Sequence, residues 1–355
     1  MMKAVRMIQH GSVDTLVYDD FPMPEVGEHD VLVRVLATTV SRWDIKYREG
    51  EMKGIGGLPG RKKFPLPMQP GRDAAGVVEA VGSAVRTFRP GDRVVGLVHP
   101  ANPMSPMTVR GLSNLSTDID YPGHTMFGGN AQFVARPESY WLPLPESVSP
   151  QLAAAAMWSY ATSHRILTER LNARVGDTLL VVGGSGGMGS ATLDLARAMG
   201  IRTVAVTRSP RKIDFLKFLG ASHTFLLPGD DIASEIRSVG GELGLDGAVD
   251  FSGDSTMLRL GLDVLRPAGT LVIAAHVGNT PNLPITAFDC VRLEVNIRGA
   301  RASTVHDQRT VLKLLEQGVI SPAIQTVMPL SEVRAAQTLL DSGDVSGRIV
   351  LDPWA

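Results

Sequence analysis

In the first part of the chain, apolar residues fall in short runs separated by turn residues: DVLVRVLATTV at 30–40, AGVVEAVG at 75–82 and DRVVGLV at 92–98. Short runs rich in Val and set off by Gly, Pro and Asp predict strands joined by turns, an antiparallel, barrel-like pattern. Residues 54–70 and 99–128 carry many Gly, Pro, Ser and Asn with little periodicity, and loops of that length usually serve a site or a partner surface. From about Gln151 the pattern changes. Apolar strands such as DTLLVVG, RTVAVT, GAVDFS and TLVIAAHVG now alternate with helix-period segments such as GSATLDLARAMG, RKIDFLKFLG and STMLRLGLDVLRPAG. Strands alternating with helices predict a doubly wound parallel sheet, with helices on both faces. There is no internal repeat and no low-complexity tract.

A chain of 355 residues has room for two domains. Its formal charge of -1, with 20% charged residues, supplies no basic field for nucleic acid. The apolar runs stop well short of the roughly 20 residues that a membrane helix needs. The opening MMKAVRMIQHG has no long apolar segment of the secretory type, so a cytoplasmic protein acting on a small molecule is expected. A single cysteine, Cys290, excludes an intrachain disulfide and any multi-cysteine zinc site.

Two places carry candidate chemistry. In PGRDAAGVVEAVG (70–82), Arg72 and Asp73 stand directly before a strand-like run. Buried charges are costly unless paired, so the doublet is either an internal ion pair or part of a polar site. The second place follows the strand TLLVV, where Gly183-Gly184-Ser185-Gly186-Gly187-Met188-Gly189 contains the G-x-G-x-x-G pattern at Gly184, Gly186 and Gly189 and then opens a helix. Strand before, helix after and a second strand at the right distance identify a dinucleotide site. Its glycines permit a tight turn, close approach of a pyrophosphate and close helix packing. The second strand, RTVAV, ends on Thr207, where an NAD site would normally place Asp or Glu, and Arg208, Ser209 and Lys212 follow. Hydroxyls and cations suit a 2′-phosphate, which points to NADPH.

Order and motifs together resemble the medium-chain dehydrogenase/reductase superfamily, which includes zinc alcohol dehydrogenases, quinone oxidoreductases and enoyl reductases. The likeness runs through the opening segment, the DAAGVVEAVGSAVRTFRPGDRVVG block, the glycine loop, LGASHTF and the closing SGRIVLDP. It implies an α/β chain: a GroES-like β-barrel catalytic domain from 1–150 and 299–355, with a Rossmann nucleotide-binding domain, 151–298, inserted. It also implies a homodimer or homotetramer.

In zinc members of that superfamily, the metal ligands fall at positions that here look like Ser41, Arg72 and Trp158. None of these is an ordinary zinc ligand, so the resemblance implies NADPH and no zinc, with Arg72 and Asp73 as a metal-free ion pair and Asp44 as a second candidate partner for Arg72. Ser41, Arg72, Tyr47 and Tyr160 are the candidate catalytic groups. Trp43, Asp44, Asp73 and Trp158 are expected to line the pocket. Thr162 is expected near the nicotinamide, Ser252, His276 and Val277 beside the nucleotide, and Arg348 near its phosphates. The expected reaction is hydride transfer from NADPH to an enone, a quinone or an enoyl thioester. A zinc-free carbonyl reductase or alcohol dehydrogenase and a non-catalytic NADPH-binding protein are the alternatives.

Overall fold

The computed structural model describes residues 1–51, 65–275 and 283–355. They divide into two compact units, Met1–Ala161 with Ala302–Ala355, and Thr162–Arg301. The helix Pro150–Arg165 contains the boundary between them.

In chain order the first unit begins with β1 (Met2–Met7), β2 (Leu16–Phe21), β3 (Asp30–Val40), β4 (Ala74–Val81), β5 (Arg93–Gly96), β6 (Phe133–Pro137) and β7 (Trp141–Pro143). The second unit carries β8 (Thr178–Val182), β9 (Arg202–Thr207), β10 (His223–Leu226), β11 (Leu245–Asp250), β12 (Leu265–Ile273) and β13 (Asn296–Gly299). The chain then returns to the first unit with β14 (Ile324–Pro329) and β15 (Arg348–Asp352).

Among the described residues the main sheet of the first unit runs β14-β15-β3-β4-β5-β7, with β6 also on β3. The long β3 holds it together: it pairs antiparallel with β4, β6 and β15 at once. Its pairing with β4 shifts register twice, between Leu32 and Val33 and between Val35 and Ala37. Its pairing is antiparallel, as the turn-rich sequence requires, except for β14 on β15, which is parallel. Val31, Val33, Val35, Val78 and Val94 fill the core between these strands, and a second core packs Val5, Val40, Tyr47, Met68 and Leu351 against the helix Val333–Asp341.

The second unit is a six-stranded sheet in the order β10-β9-β8-β11-β12-β13, every pair parallel. Leu180, Val182, Val204, Val206, Ala248 and Leu271 from its strands join Ile236, Met257 and Leu260 from the covering helices in one core. Near-continuous apolar strands are what burial on both faces demands. The strand order steps outward from β8 to β9 on one side and to β11 on the other. The reversal therefore lies at the carboxyl end of β8, where ligands bind in open α/β sheets.

Candidate functional site

The glycine motif sits at that switch point. Gly183, at φ +80°, turns the chain out of β8, and the helix Gly187–Ala198 starts with Gly186 as its N-cap. The three motif glycines differ in what they permit. A Cβ on Gly189 would meet the Gly183 carbonyl oxygen at 2.2 Å and Gly184 Cα at 2.5 Å, so the helix can rest on the turn only without a side chain there. A Cβ on Gly184 would press on Leu216 at 3.0 Å and Leu193 at 3.2 Å. Gly186 is exposed, and its nearest contact, the Gly183 carbonyl oxygen at 3.6 Å, is ordinary. Internal packing does not require a glycine at 186. The N–H groups of the helix's first turn have no partner within the helix and favour an anion.

Neighbouring hydroxyls fix this helix. Thr192 Oγ1 donates to Ser163 Oγ at 2.9 Å, and Ser163 Oγ in turn reaches the Met188 carbonyl oxygen at 3.2 Å. Next to Ser163, Thr162 is buried and its Oγ1 has no hydrogen-bond partner among the described residues, which leaves a donor and acceptor for a bound molecule.

On one side of the loop, Thr207 closes β9 and accepts the Ser209 N–H at 3.1 Å, while the Arg208 side chain extends outward, 69% exposed. On the other side, Ser252 belongs to the turn after β11. Its hydroxyl donates to Asp250 Oδ1 at 2.6 Å and accepts the Asp254 N–H at 3.1 Å, so it shapes that turn and has little left to offer a nucleotide. The expectations on His276 and Val277 lie outside the described residues.

A buried polar cluster in the first unit surrounds Arg72, one of the positions that the resemblance aligns with a zinc ligand. Arg72, only 5% exposed, directs its guanidinium to His99 Nε2 at 3.3 Å and His124 Nδ1 at 3.0 Å. Its Cζ lies 4.4 Å from the Trp158 ring centre and 4.9 Å from that of Tyr121, so aromatic faces hold the cation as well. His124 accepts from Arg72 on Nδ1, which places its proton on Nε2, toward the Trp43 carbonyl oxygen at 3.5 Å, while His99 Nδ1 accepts the Ser303 N–H at 3.2 Å and lies 3.0 Å from Ser303 Oγ. Burial and the adjacent Arg72 charge push the His124 pKa down to about 3, so it stays neutral.

Three expectations need correction here. Asp73 takes its close ion pair from Arg348, not from its neighbour Arg72: Arg348 Nη2 donates to Asp73 Oδ2 at 2.9 Å and to Thr39 Oγ1 at 2.6 Å. Thr39 donates to the same Asp73 oxygen at 2.5 Å, and the other oxygen accepts the Trp158 N–H at 3.2 Å. Arg348 is therefore anchored inside the first unit; its buried Nε has no hydrogen-bond partner among the described residues. Burial raises the Asp73 pKa, with Arg348 the largest opposing influence and Arg72 a smaller one.

Ser41 and Asp44 form a capping box. Ser41 Oγ donates to Asp44 Oδ2 at 2.7 Å, the Ser41 N–H donates there at 2.8 Å, and Ser41 starts the helix Arg42–Arg48. The pair holds a helix end, so neither side chain is a ready catalyst. Burial raises the Asp44 pKa, while Ser41 and the Arg72 charge oppose it.

Tyr47 is the third correction. It is 1% exposed and donates its hydroxyl to the Pro65 carbonyl oxygen at 2.9 Å, and burial pushes its pKa up to about 12. It serves the core and is a poor proton donor. Tyr160 is equally buried and lies in the second half of the helix Pro150–Arg165. Trp43 packs half-buried against the second core. His99, Tyr121 and His124 were missed by reading the sequence; the only signal was that they lie in the long loop 99–128.

Residues 27–146 match the alcohol dehydrogenase GroES-like domain, and residues 187–317 match the zinc-binding dehydrogenase domain. The chain belongs to the medium-chain dehydrogenase/reductase superfamily. It is an oxidoreductase of that superfamily, similar along almost its whole length to curated members. It is 26% identical to the quinone oxidoreductase of Rattus norvegicus over 359 residues, covering 99% of this chain and 98% of that one. It is 27% identical to the D-arabinose 1-dehydrogenase (NADP(+)) of Saccharolobus solfataricus, covering 99% of both. With the 2-methylene-furan-3-one reductase of Solanum lycopersicum it shares 28% identity, covering 99% of this chain and 79% of that one. Among solved structures, an NAD-dependent alcohol dehydrogenase matches with a TM-score of 0.90 at 28% identity, covering 99% of both chains. These relatives place the family's fold on this chain but differ among themselves in substrate and cofactor.

Proposed function

We propose that the protein is a zinc-independent, NADPH-dependent reductase that adds hydride to the β-carbon of an α,β-unsaturated carbonyl compound. The observation that carries this reading is Arg72 between two imidazoles and two aromatic rings, where a metal-dependent relative would gather its ligands. A guanidinium there opposes a divalent cation, Ser41 is committed to Asp44, and among the described residues no three His, Cys, Asp or Glu side chains could share a metal. These residues do not fit a zinc ion. A saturated ketone would have to build alkoxide charge on hydrogen bonds alone, whereas a conjugated carbonyl spreads that charge and needs less help. The quinone and furanone relatives support the same choice.

The glycine loop fits a dinucleotide, which when bound supplies the hydride. Gly186 leaves room for the pyrophosphate, and the N–H groups at the start of the helix Gly187–Ala198 bind its charge. Arg208, Ser209 and Lys212 would hold the 2′-phosphate, and Thr162 Oγ1 would hold the nicotinamide carboxamide. As hydride reaches the β-carbon, the electron pair of the double bond moves toward the carbonyl oxygen. The α-carbon then takes a proton from water, since the hydroxyls of Tyr47 and Ser41 are engaged elsewhere.

The test is NADPH oxidation with an enone, a quinone and a saturated ketone in parallel. The enone or quinone should turn over faster than the ketone by roughly two or more orders of magnitude. Faster turnover of the ketone would favour a carbonyl reductase, and tight NADPH binding with no turnover would favour a binding protein.

A further inference from the structure

Arg208 and Asp254 meet across the mouth of the nucleotide site. Arg208 follows β9 and Asp254 lies beyond the end of β11, and these strands flank β8 on opposite sides in the same parallel sheet. Their carboxyl ends are thus two strand spacings apart, about 10 Å. The two side chains bridge this gap, Arg208 Nη2 lying 4.0 Å from Asp254 Oδ2. The bridge passes over the strand from which the glycine loop departs.

The two members of the pair are held differently. Asp254 is the N-cap of the helix Ser255–Asp263, its Oδ1 accepting the Thr256 N–H at 2.9 Å and the Met257 N–H at 3.2 Å. That leaves Oδ2 for Arg208 and fixes the carboxylate in place. Arg208 is 69% exposed and reaches Asp254 at the limit of an ion pair, so the pair can open, at the modest cost of a surface salt bridge.

We propose that Asp254 is a specificity-determining residue: it competes with the cofactor's 2′-phosphate for Arg208 and so restrains the preference for NADPH. With a 2′-hydroxyl cofactor Arg208 can stay on Asp254, and nothing repels the ligand. A 2′-phosphate must draw Arg208 away, and its own charge of nearly two then lies near the fixed Asp254 carboxylate. Asp254 therefore weakens NADPH selectively while leaving NADH almost untouched. This rests on the NADPH reading given above.

The test is titration of NADPH and NADH against the full chain by fluorescence, in the unmodified protein and in Arg208→Ala, Asp254→Asn and Asp254→Ser. Asn and Ser both cap helices well, so each replacement removes the charge and keeps the helix start, which melting temperature checks. Asp254→Asn should bind NADPH about three- to tenfold more tightly with NADH changed less than about twofold, and the gain should shrink as salt rises. Arg208→Ala should weaken NADPH far more than NADH. If Arg208→Ala does so but both Asp254 variants bind NADPH no better, the competition is overturned and the cofactor reading survives. If Arg208→Ala moves both cofactors alike, the cofactor reading fails and the proposal fails with it.

Discussion

Asp73 is joined to Arg348, 275 positions further along the chain, by a 2.9 Å ion pair in which both side chains are buried. This contact ties the returning strand β15 to the loop before β4, and through the Trp158 N–H it also fastens the helix Pro150–Arg165. Arg348→Met should strand a buried carboxylate and cost about 3–5 kcal/mol in denaturant unfolding. The sign with pH follows from Asp73, whose pKa burial already raises and which would rise further without its cation. A protonated Asp73 needs no partner, so the deficit should be smaller at about pH 4 than at about pH 8. A uniform deficit across that range would show that the ion pair is not what holds this junction.

Arg72→Met removes the cation that faces His99, His124, Trp158 and Tyr121. His124 Nδ1 then loses its donor inside the core and the contact with His99 Nε2 is lost as well, so melting temperature should fall. KM for the substrate should change by less than about threefold, because the group positions its neighbours and does not anchor substrate. A large rise in KM at unchanged stability would make Arg72 the substrate anchor instead. The unmodified protein should also keep its activity in the presence of a zinc chelator, and activity lost to chelation and restored by zinc would contradict the reading of this cluster.

His124 gives the chain an acid sensitivity. Its pKa falls from 6.5 in the unfolded chain to about 3 in the fold, so the neutral ring is favoured by folding. That contribution is complete above about pH 6.5 and is lost as pH falls toward 3, over a range of a few kcal/mol at most. His124→Asn, which keeps an acceptor for Arg72, should flatten this part of the stability profile. An unchanged slope between about pH 6.5 and 4 would assign the sensitivity to other groups.

The glycine loop separates packing from binding. Gly189→Ala must push against the Gly183 carbonyl oxygen at 2.2 Å and should lower both melting temperature and nucleotide affinity. Gly186→Ala meets nothing closer than 3.6 Å and should fold normally while binding nucleotide at least about tenfold more weakly, since the methyl group occupies the ligand's side of the turn. Equal affinity in Gly186→Ala would mean that the pyrophosphate does not approach this turn.

What could be read from the sequence was what neighbours along the chain decide. The strand, glycine turn and helix at 178–198 lie within one crossover, and their pattern fixes the parallel sheet and its ligand edge. The capping box of Ser41 and Asp44 was also legible in principle, as Ser followed three residues later by Asp before apolar Ile45. The partners of Arg72 and Asp73 were not. Adjacent opposite charges suggest a pair, but successive residues at a strand entrance point in different directions. Asp73 turns toward Thr39 and Arg348, and Arg72 turns toward His99 and His124. Contacts at such separations, built on a loop with no periodicity, leave no mark in local pattern.

The central claim is that hydride goes to carbon rather than to a carbonyl, and the position of a label decides it most directly. An enone is reduced with NADPH deuterated at the transferred position of the nicotinamide, and the product is examined by NMR and mass spectrometry. The account predicts one deuterium on the former β-carbon, with the double bond saturated and the carbonyl retained. Deuterium on a carbinol carbon, with the double bond intact in an allylic alcohol, would contradict it.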